Sequence, residues 1–250
     1  MPDASKVSNS GFKGGTALGK IYFPHYRYSE DLDFTLRKPM NGNDIRGSLE
    51  SAFEYLGKEY NADFRIRDFD SKSYFTDAKA QFVGLKGQKN TIAIDLSPDE
   101  ILVDEIMPKK VFNPYYEKEF SVYAYSLEEI IAEKLRSILQ RTRVRDYYDA
   151  WYLLTKARRK IDEEKLREIF HKKAERKKLA FTNAEQFLDK DKLEQAKAYY
   201  EPQIKNQLKN LPPFDKMAKE LENAILALKL EWPTASQTDP LVRVPRLFLR

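Results

Sequence analysis

The hydrophobic periodicity of the chain changes near Ser126, and this change constrains the fold more than any other sequence feature. Before Ser126, short apolar runs alternate with turns and helical segments, whereas almost every later segment has helical period. This order predicts an α+β fold, with a mixed β-sheet core and flanking helices followed by a C-terminal all-helical domain. The predicted boundaries are 1–125 for the core, 126–230 for the helical domain and 231–250 for an extended tail containing prolines.

Local patterns predict the individual elements. Ser126 and Glu129 form a capping box, in which the serine caps a helix and the glutamate reaches back to it. Alternating apolar and polar residues predict strands at 30–37, 62–69, 78–85, 90–97 and 119–126. Helical spacing predicts helices at 16–22, 41–60, 127–140, 146–157, 162–178, 183–200 and 213–230.

The composition narrows the chemistry that the chain can support. It contains no cysteine and only two histidines, which excludes thiolate sites and argues against a His-rich zinc site. The ligands of any bound metal would therefore be carboxylates, which favour hard ions such as Mg²⁺. The net charge of +5 permits a polyanionic partner. No apolar run has the length of a membrane span or a signal core, so we expect a cytoplasmic protein without a membrane partner.

Three aspartates are the strongest candidates for catalysis. Asp31 and Asp33 are two residues apart on a predicted strand, so both carboxylates point to the same face. Two negative charges at such a short distance are energetically costly unless a cation lies between them or water screens them. Asp95 also lies opposite the apolar face of its strand, and it joins the pair if the two strands are neighbours. The alternatives are a solvated strand face for Asp31 and Asp33 and a turn-capping carboxylate for Asp95.

A Gly-Gly turn precedes these aspartates. Gly14, Gly15 and Thr16 allow backbone N–H groups to approach phosphate oxygens without obstruction by side chains. The alternative interpretation is an ordinary turn at the start of a helix.

The segments FKGGTALGKIYF, RYSEDLDF and IAIDLS resemble, in this order, the DNA polymerase β-type nucleotidyltransferase superfamily. More closely, they resemble the AbiEii/AbiGii toxin family of bacterial and archaeal toxin–antitoxin and phage-defence systems. The segment EKLRSILQRTRVRDYYDAWYL is similar to a later motif of that family, and its matching residues are Lys134, Arg141, Arg145 and Asp146. The resemblance covers residues 11–155.

The resemblance implies a nucleotidyltransferase-like core that transfers a nucleoside monophosphate from a nucleoside triphosphate to an acceptor hydroxyl, in several members the 3′ end of transfer RNA. It also implies Mg²⁺ (or Mn²⁺), an RNA acceptor and an antitoxin protein as partner. The implied metal ligands are Asp31, Asp33 and Asp95, which are also catalytic together with Lys134 and Asp146. The implied nucleotide-binding residues are Lys13, Gly14, Gly15, Thr16, Ser29, Arg141 and Arg145.

Several alternatives remain open at this point. A phosphotransferase on the same fold would move the γ-phosphate and release no pyrophosphate. The short polar stretch before Gly14 favours an N-terminally shortened, inactive relative that only binds nucleotide. A housekeeping RNA modifier is a third possibility. Lys134 could instead be a surface lysine paired with Glu133 or Glu129. The alternative for the segment with Arg145, Asp146 and Asp149 is an ordinary helix start with acidic residues in its first turn.

Overall fold

The chain folds around one mixed β-sheet of seven strands, as seen in a computed structural model that describes residues 9–84, 87–114, 119–179 and 181–230. The order across the sheet is β3-β4-β5-β2-β1-β7-β6. The strands are β1 (Ser10–Lys13), β2 (Asp31–Leu36), β3 (Phe64–Lys72), β4 (Phe75–Val83), β5 (Lys89–Ser97), β6 (Met107–Lys110) and β7 (Ser121–Ala124). The predicted α+β class is confirmed, whereas β1 and β6 were not predicted from the sequence.

The pairing of the strands places the N-terminal strand inside the sheet. β1 is antiparallel to β2 and parallel to β7, with Phe12 opposite both Phe34 and Ala124. β2 is parallel to β5, and β4 is antiparallel to both β3 and β5. The strands that carry the three candidate aspartates are therefore direct neighbours.

The helices that follow the sheet are close to those predicted. One predicted helix, 183–200, is instead a 3₁₀ turn (Ala184–Leu188) followed by a separate helix, because the Asp189 side chain accepts a hydrogen bond from Lys192 N (2.9 Å) and starts a new helix there. The helices are α1 (Gly14–Ala17, continued by a π turn over Leu18–Tyr22), α2 (Gly42–Tyr60), α3 (Leu127–Gln140), α4 (Val144–Trp151, continued by a π turn over Tyr152–Lys156), α5 (Glu163–Arg176), α6 (Lys190–Ile204) and α7 (Phe214–Ala227).

The capping box at the start of α3 is only half formed. Ser126 Oγ accepts a hydrogen bond from Glu129 N at 3.2 Å, as predicted. The carboxylate of Glu129 does not complete the box; it accepts hydrogen bonds from Val103 N and Asp104 N at 3.1 and 2.7 Å. Glu129 therefore ties α3 to the segment after β5.

Helix α2 covers one face of the β3–β4–β5–β2 part of the sheet. Phe53 packs there in a cluster with Ala78, Ala80 and Ile94, because these strand residues alternate with polar ones. Side chains of opposite parity, such as Asp77 and Lys79, are exposed on the other face. This leaves one face of these strands open to a ligand.

The largest core cluster joins the central strands to the helices. It contains Phe12 and Ala124 from the sheet and Leu135, Phe170 and Ile225 from α3, α5 and α7. The division at residues 125 and 126 stays a prediction, and the predicted tail 231–250 lies outside the described residues. None of the helices in the described ranges is long and apolar enough to cross a membrane.

Candidate active site

Strand register brings two of the three candidate aspartates into direct lateral contact. Asp33 on β2 lies opposite Asp95 on β5, and Asp31 lies opposite Ala93. Residues opposite each other in neighbouring strands share a face, so all three carboxylates lie on the face that α2 leaves open. The condition on which the sequence argument depended, that β2 and β5 are neighbours, is fulfilled.

Two of these three carboxyl groups have pKa values above their usual range. The pKa of Asp95 is raised to about 6, first by burial and then by the charges of Asp33 and Asp77. Burial also raises the pKa of Asp33, against the opposing effect of Lys134 and Lys13. Both carboxylates would gain from a nearby cation.

The Gly-Gly turn packs directly on the aspartate pair. Gly14 has φ of 74°, and a Cβ at this position would overlap the Asp33 carboxylate. A Cβ on Gly15 would lie 2.5 Å from Arg27 Nη2 and 3.0 Å from Ser29 Oγ. Only glycine therefore fits at Gly14, and the two glycines are tightly enclosed.

Thr16 holds the turn against the strand. Its Oγ1 donates a hydrogen bond of 2.5 Å to the backbone oxygen of Asp31. The threonine hydroxyl thus fixes the turn relative to the first aspartate, while the neighbouring backbone faces Arg27 and Ser29.

A cleft next to this turn is lined by residues from the sheet and from the helices. Lys13 at the end of β1 is buried, and its Nζ lies 2.8 Å from Glu133 Oε1. The lining includes six of the predicted residues, namely Lys13, Gly14, Asp33, Lys134, Arg141 and Asp146. Sheet carboxylates and helix cations therefore face the same space.

Lys134 is the centre of a buried ion network. Its Nζ lies 2.9 Å from Asp146 Oδ1 and 2.9 Å from Asp149 Oδ2, so its partners are these aspartates rather than Glu133 or Glu129. Burial would lower the pKa of Lys134, but Asp146 and Asp149 outweigh it and hold the pKa above its usual range. The alternative of a surface lysine is therefore wrong, and the ammonium is held in a fixed place.

Asp149 is the most enclosed acid of the network. It accepts hydrogen bonds from Arg27 Nε and Nη2 at 2.6 and 2.7 Å and from Tyr26 OH at 2.8 Å. Burial would raise its pKa, but Arg27 and Lys134 overcome this and hold the pKa well below the usual range. Because Arg27 also faces Gly15, Asp149 connects α4 to the Gly-Gly turn.

Three arginines around the start of α4 lie along the border of the face that carries the carboxylates. Arg145 Nη1 lies 3.4 Å from Asp31 Oδ2, and Arg141 Nε lies 3.0 Å from Asp146 Oδ2. Arg143, which the sequence analysis did not select, is close enough to Asp95 to oppose the rise in its pKa. Three guanidinium groups therefore lie beside the acidic residues of the site.

The donors present fit a hard divalent ion, although the side chains are not arranged as a complete ligand set. Within the described ranges, no group of three or more His, Cys, Asp or Glu residues is placed to hold a metal ion. Burial and, after it, the facing charge of Asp33 nevertheless raise the pKa of Asp95, so this carboxylate is costly to ionise without a nearby cation. With Asp31 and Asp33, it supplies the oxygen ligands that Mg²⁺ prefers.

Sequence reasoning missed Arg27, Tyr26, Glu133 and Arg143 as members of the site, and it gave Asp149 no specific role. Arg27 stands two residues before the predicted Ser29, but nothing local indicates a partner in α4. The one available signal was its position within the segment RYSEDLDF.

Comparisons with known proteins identify the family of the chain and a related fold. The family model described as nucleotidyl transferase AbiEii toxin, type IV TA system, matches residues 9–222. Among solved structures, the fold is similar to MenT4, a nucleotidyltransferase toxin from Mycobacterium tuberculosis H37Rv, with a TM-score of 0.55 and 17% sequence identity over 89% of this chain and 85% of that chain. No curated protein sequence matches the chain.

Proposed function

Because the chain belongs to the AbiEii family of nucleotidyltransferase toxins of type IV toxin–antitoxin systems, we propose that it is a metal-dependent enzyme that transfers a nucleoside monophosphate from a nucleoside triphosphate to a hydroxyl of RNA. The observation that carries the proposal is the strand register, which sets Asp33 beside Asp95 while Gly14 packs on Asp33. The Gly-Gly turn, the pair Asp31 and Asp33, and Asp95 thus occupy one face, which supports the proposed roles in phosphate and metal binding.

Different residues of the site have different proposed roles in this reaction. The Gly14–Gly15 turn and Lys13 receive the triphosphate, and Lys134 offers a charge whose position Asp146 and Asp149 fix. Mg²⁺ or Mn²⁺ held by the pair Asp31 and Asp33 would offset charge on the phosphoryl oxygens, which leaves Asp95 available to the acceptor.

Asp95 is suited to be the general base. Its pKa of about 6 lies near neutral pH, where a carboxylate can both be ionised and take a proton. The acceptor oxygen forms a bond to the α-phosphorus, the bond from that phosphorus to the bridging oxygen of the β-phosphate breaks, and pyrophosphate leaves. The proton of the hydroxyl passes to Asp95. Catalysis on this face is mainly positioning and charge stabilisation.

Three arginines beside the carboxylates support RNA as the acceptor. Arg141, Arg143 and Arg145 lie beside the carboxylates, and the whole chain has a net charge of +5. Clustered arginines beside the reacting centre are suited to the phosphates of a nucleic acid. We further propose that an antitoxin protein is a partner and that the RNA acceptor is transfer RNA modified at its 3′ end.

The test is label transfer from each of the four nucleoside triphosphates to total transfer RNA with Mg²⁺. Wild type should label RNA from α-labelled nucleotide, and Asp31→Ala/Asp33→Ala should not. Asp215→Ala is the control, because Asp215 is an exposed aspartate on α7 and lies outside the sheet.

Each contrary outcome has a defined meaning. Labelling from γ-labelled nucleotide without pyrophosphate release would replace the proposal by a phosphotransferase. Tight nucleotide binding without turnover on any RNA would replace it by a nucleotide-binding relative. Equal labelling by Asp31→Ala/Asp33→Ala and wild type would remove the assigned metal pair.

A further inference from the structure

Asp33, Asp95 and Asp77 form a row across β2, β5 and β4, and the two flanks of this aspartate row differ in what they can bind. On one flank, Lys13 of β1 is the lateral partner of Asp33, and Gly14 packs on the same carboxylate. On the other flank, the row continues from Asp33 through Asp95 to Asp77 on β4. Attacking and leaving oxygens are roughly in line in phosphoryl transfer. Since the Gly-Gly turn receives the leaving pyrophosphate, the acceptor must approach over β5 and β4.

That approach runs over the open face of the sheet. Lys72, Asp77 and Lys79 are exposed there, because α2 packs on the opposite face of the same strands. The face is continuous with the candidate active site and is accessible to an extended ligand.

An aromatic pair lies at the end of this face, where β3 turns into β4. Tyr74 is 59% exposed, and its ring centroid is 5.0 Å from that of half-buried Phe75 in an edge-to-face arrangement. Lys72 Nζ lies 4.9 Å from the Phe75 centroid. Phe75 has the same strand parity as Asp77, so it shares the carboxylate face. Exposed aromatic rings beside a cation are typical of single-stranded nucleic-acid sites.

The distance from this pair to the reacting centre suits a nucleotide. Phe75 is two residues along β4 from Asp77, which is the lateral partner of Asp95. Strand geometry therefore places the Cα atoms of Phe75 and Asp95 roughly 8 Å apart. A base stacked at the pair would leave its own or the next ribose hydroxyl within reach of Asp95.

We propose that Tyr74 and Phe75 form a stacking platform for a base at the end of the acceptor RNA, with Lys72 at its side. This inference rests on the proposed function, because it assigns the acceptor subsite of the same reaction. It commits the open face to single-stranded RNA rather than to a protein partner.

The test compares binding of a fluorescent single-stranded RNA oligonucleotide with a free 3′ end, in Mg²⁺ and without nucleotide. Tyr74→Leu should weaken binding by about 10-fold, as expected for the loss of one stacked base, and Tyr74→Trp should restore it. Tyr199→Leu is the matched control, since Tyr199 is also 59% exposed but lies on α6. Nucleotide binding should be the same in all four proteins. In the transfer assay, Tyr74→Leu should raise KM for RNA more than it lowers kcat.

The outcomes separate this inference from the proposed reaction. Oligonucleotide binding that depends on Tyr74, without label transfer, would support the platform and contradict the reaction. Label transfer with the same KM in Tyr74→Leu and wild type would overturn the platform and leave the reaction intact. Wild-type protein that binds no RNA, but binds its antitoxin through Tyr74, would overturn the platform and assign the pair to the protein partner.

Discussion

Replacement of Asp149 by asparagine should destabilise the protein strongly. Asp149 is fully buried and receives hydrogen bonds from Arg27 and Tyr26 and an ion pair from Lys134. Asparagine keeps the shape but removes the charge that compensates the Arg27 guanidinium, while Lys134 retains Asp146. Breaking a buried pair in this way costs about 3–5 kcal/mol. At about 2–4 °C per kcal/mol for a chain of this size, the melting temperature should fall by roughly 6–20 °C.

The assay is urea and thermal unfolding of wild type and Asp149→Asn at neutral pH. Asp215→Asn is the control, because Asp215 pairs with Lys197 at 2.7 Å but both side chains are exposed. The control should lose no more than about 1 kcal/mol. A loss of less than about 1 kcal/mol for Asp149→Asn would refute the assignment of a stabilising charge to this site.

The pH dependence gives an independent check. The pKa of folded Asp149 is below its usual range, so the ionised carboxylate contributes stability at pH above the unfolded value of about 3.9. That contribution decreases as the pH falls below this value towards the folded pKa. The stability difference between wild type and Asp149→Asn should therefore be constant at neutral pH and become smaller below about pH 4. A difference that is the same at all pH values would attribute the loss to shape rather than charge.

Further substitutions test other parts of the site. Gly14→Ala should cost about 1–2 kcal/mol in unfolding assays because φ is positive, and it should abolish label transfer by displacing Asp33, whereas Gly47→Ala, in open space on α2, should leave transfer unchanged. Lys173→Met should cost about 3–5 kcal/mol in urea unfolding, because it leaves the buried Glu100 and Glu129 and the partly buried Glu133 without their shared cation. Ser126→Ala should cost about 1 kcal/mol in the same assay through loss of the α3 cap; no change would mean that the cap contributes nothing.

The sequence was sufficient for features that depend on local patterns. The alternation around Asp31 and Asp33 predicts β2, and the same pattern around Asp95 predicts β5, because strand period is visible within a few residues. The sequence did not reveal β1 or β6, which have only four residues each; β7 is equally short but lies within the longer alternating segment 119–126.

The ion network of the site was less predictable for a related reason. Arg27 and Asp149 are far apart in the sequence, and each has an ordinary local interpretation, as a loop arginine and as a residue in a helix. Their pairing depends on how α4 packs against the turn, which no local pattern encodes. Lys134 was selected through the family motif, but its fixed position between Asp146 and Asp149 required the tertiary structure.

The position of β1 inside the sheet, between β2 and β7, also affects how the protein can be synthesised. Phe12 lies opposite Ala124, and the amide of Tyr125 donates a hydrogen bond to the Phe12 carbonyl. The sheet cannot close around its first strand until the last strand has left the ribosome, and Lys134 and Asp149 emerge later still. Such non-local pairing is slow to form. A nascent chain is therefore unable to assemble the candidate active site until all the residues from Phe12 to Asp149 have been translated.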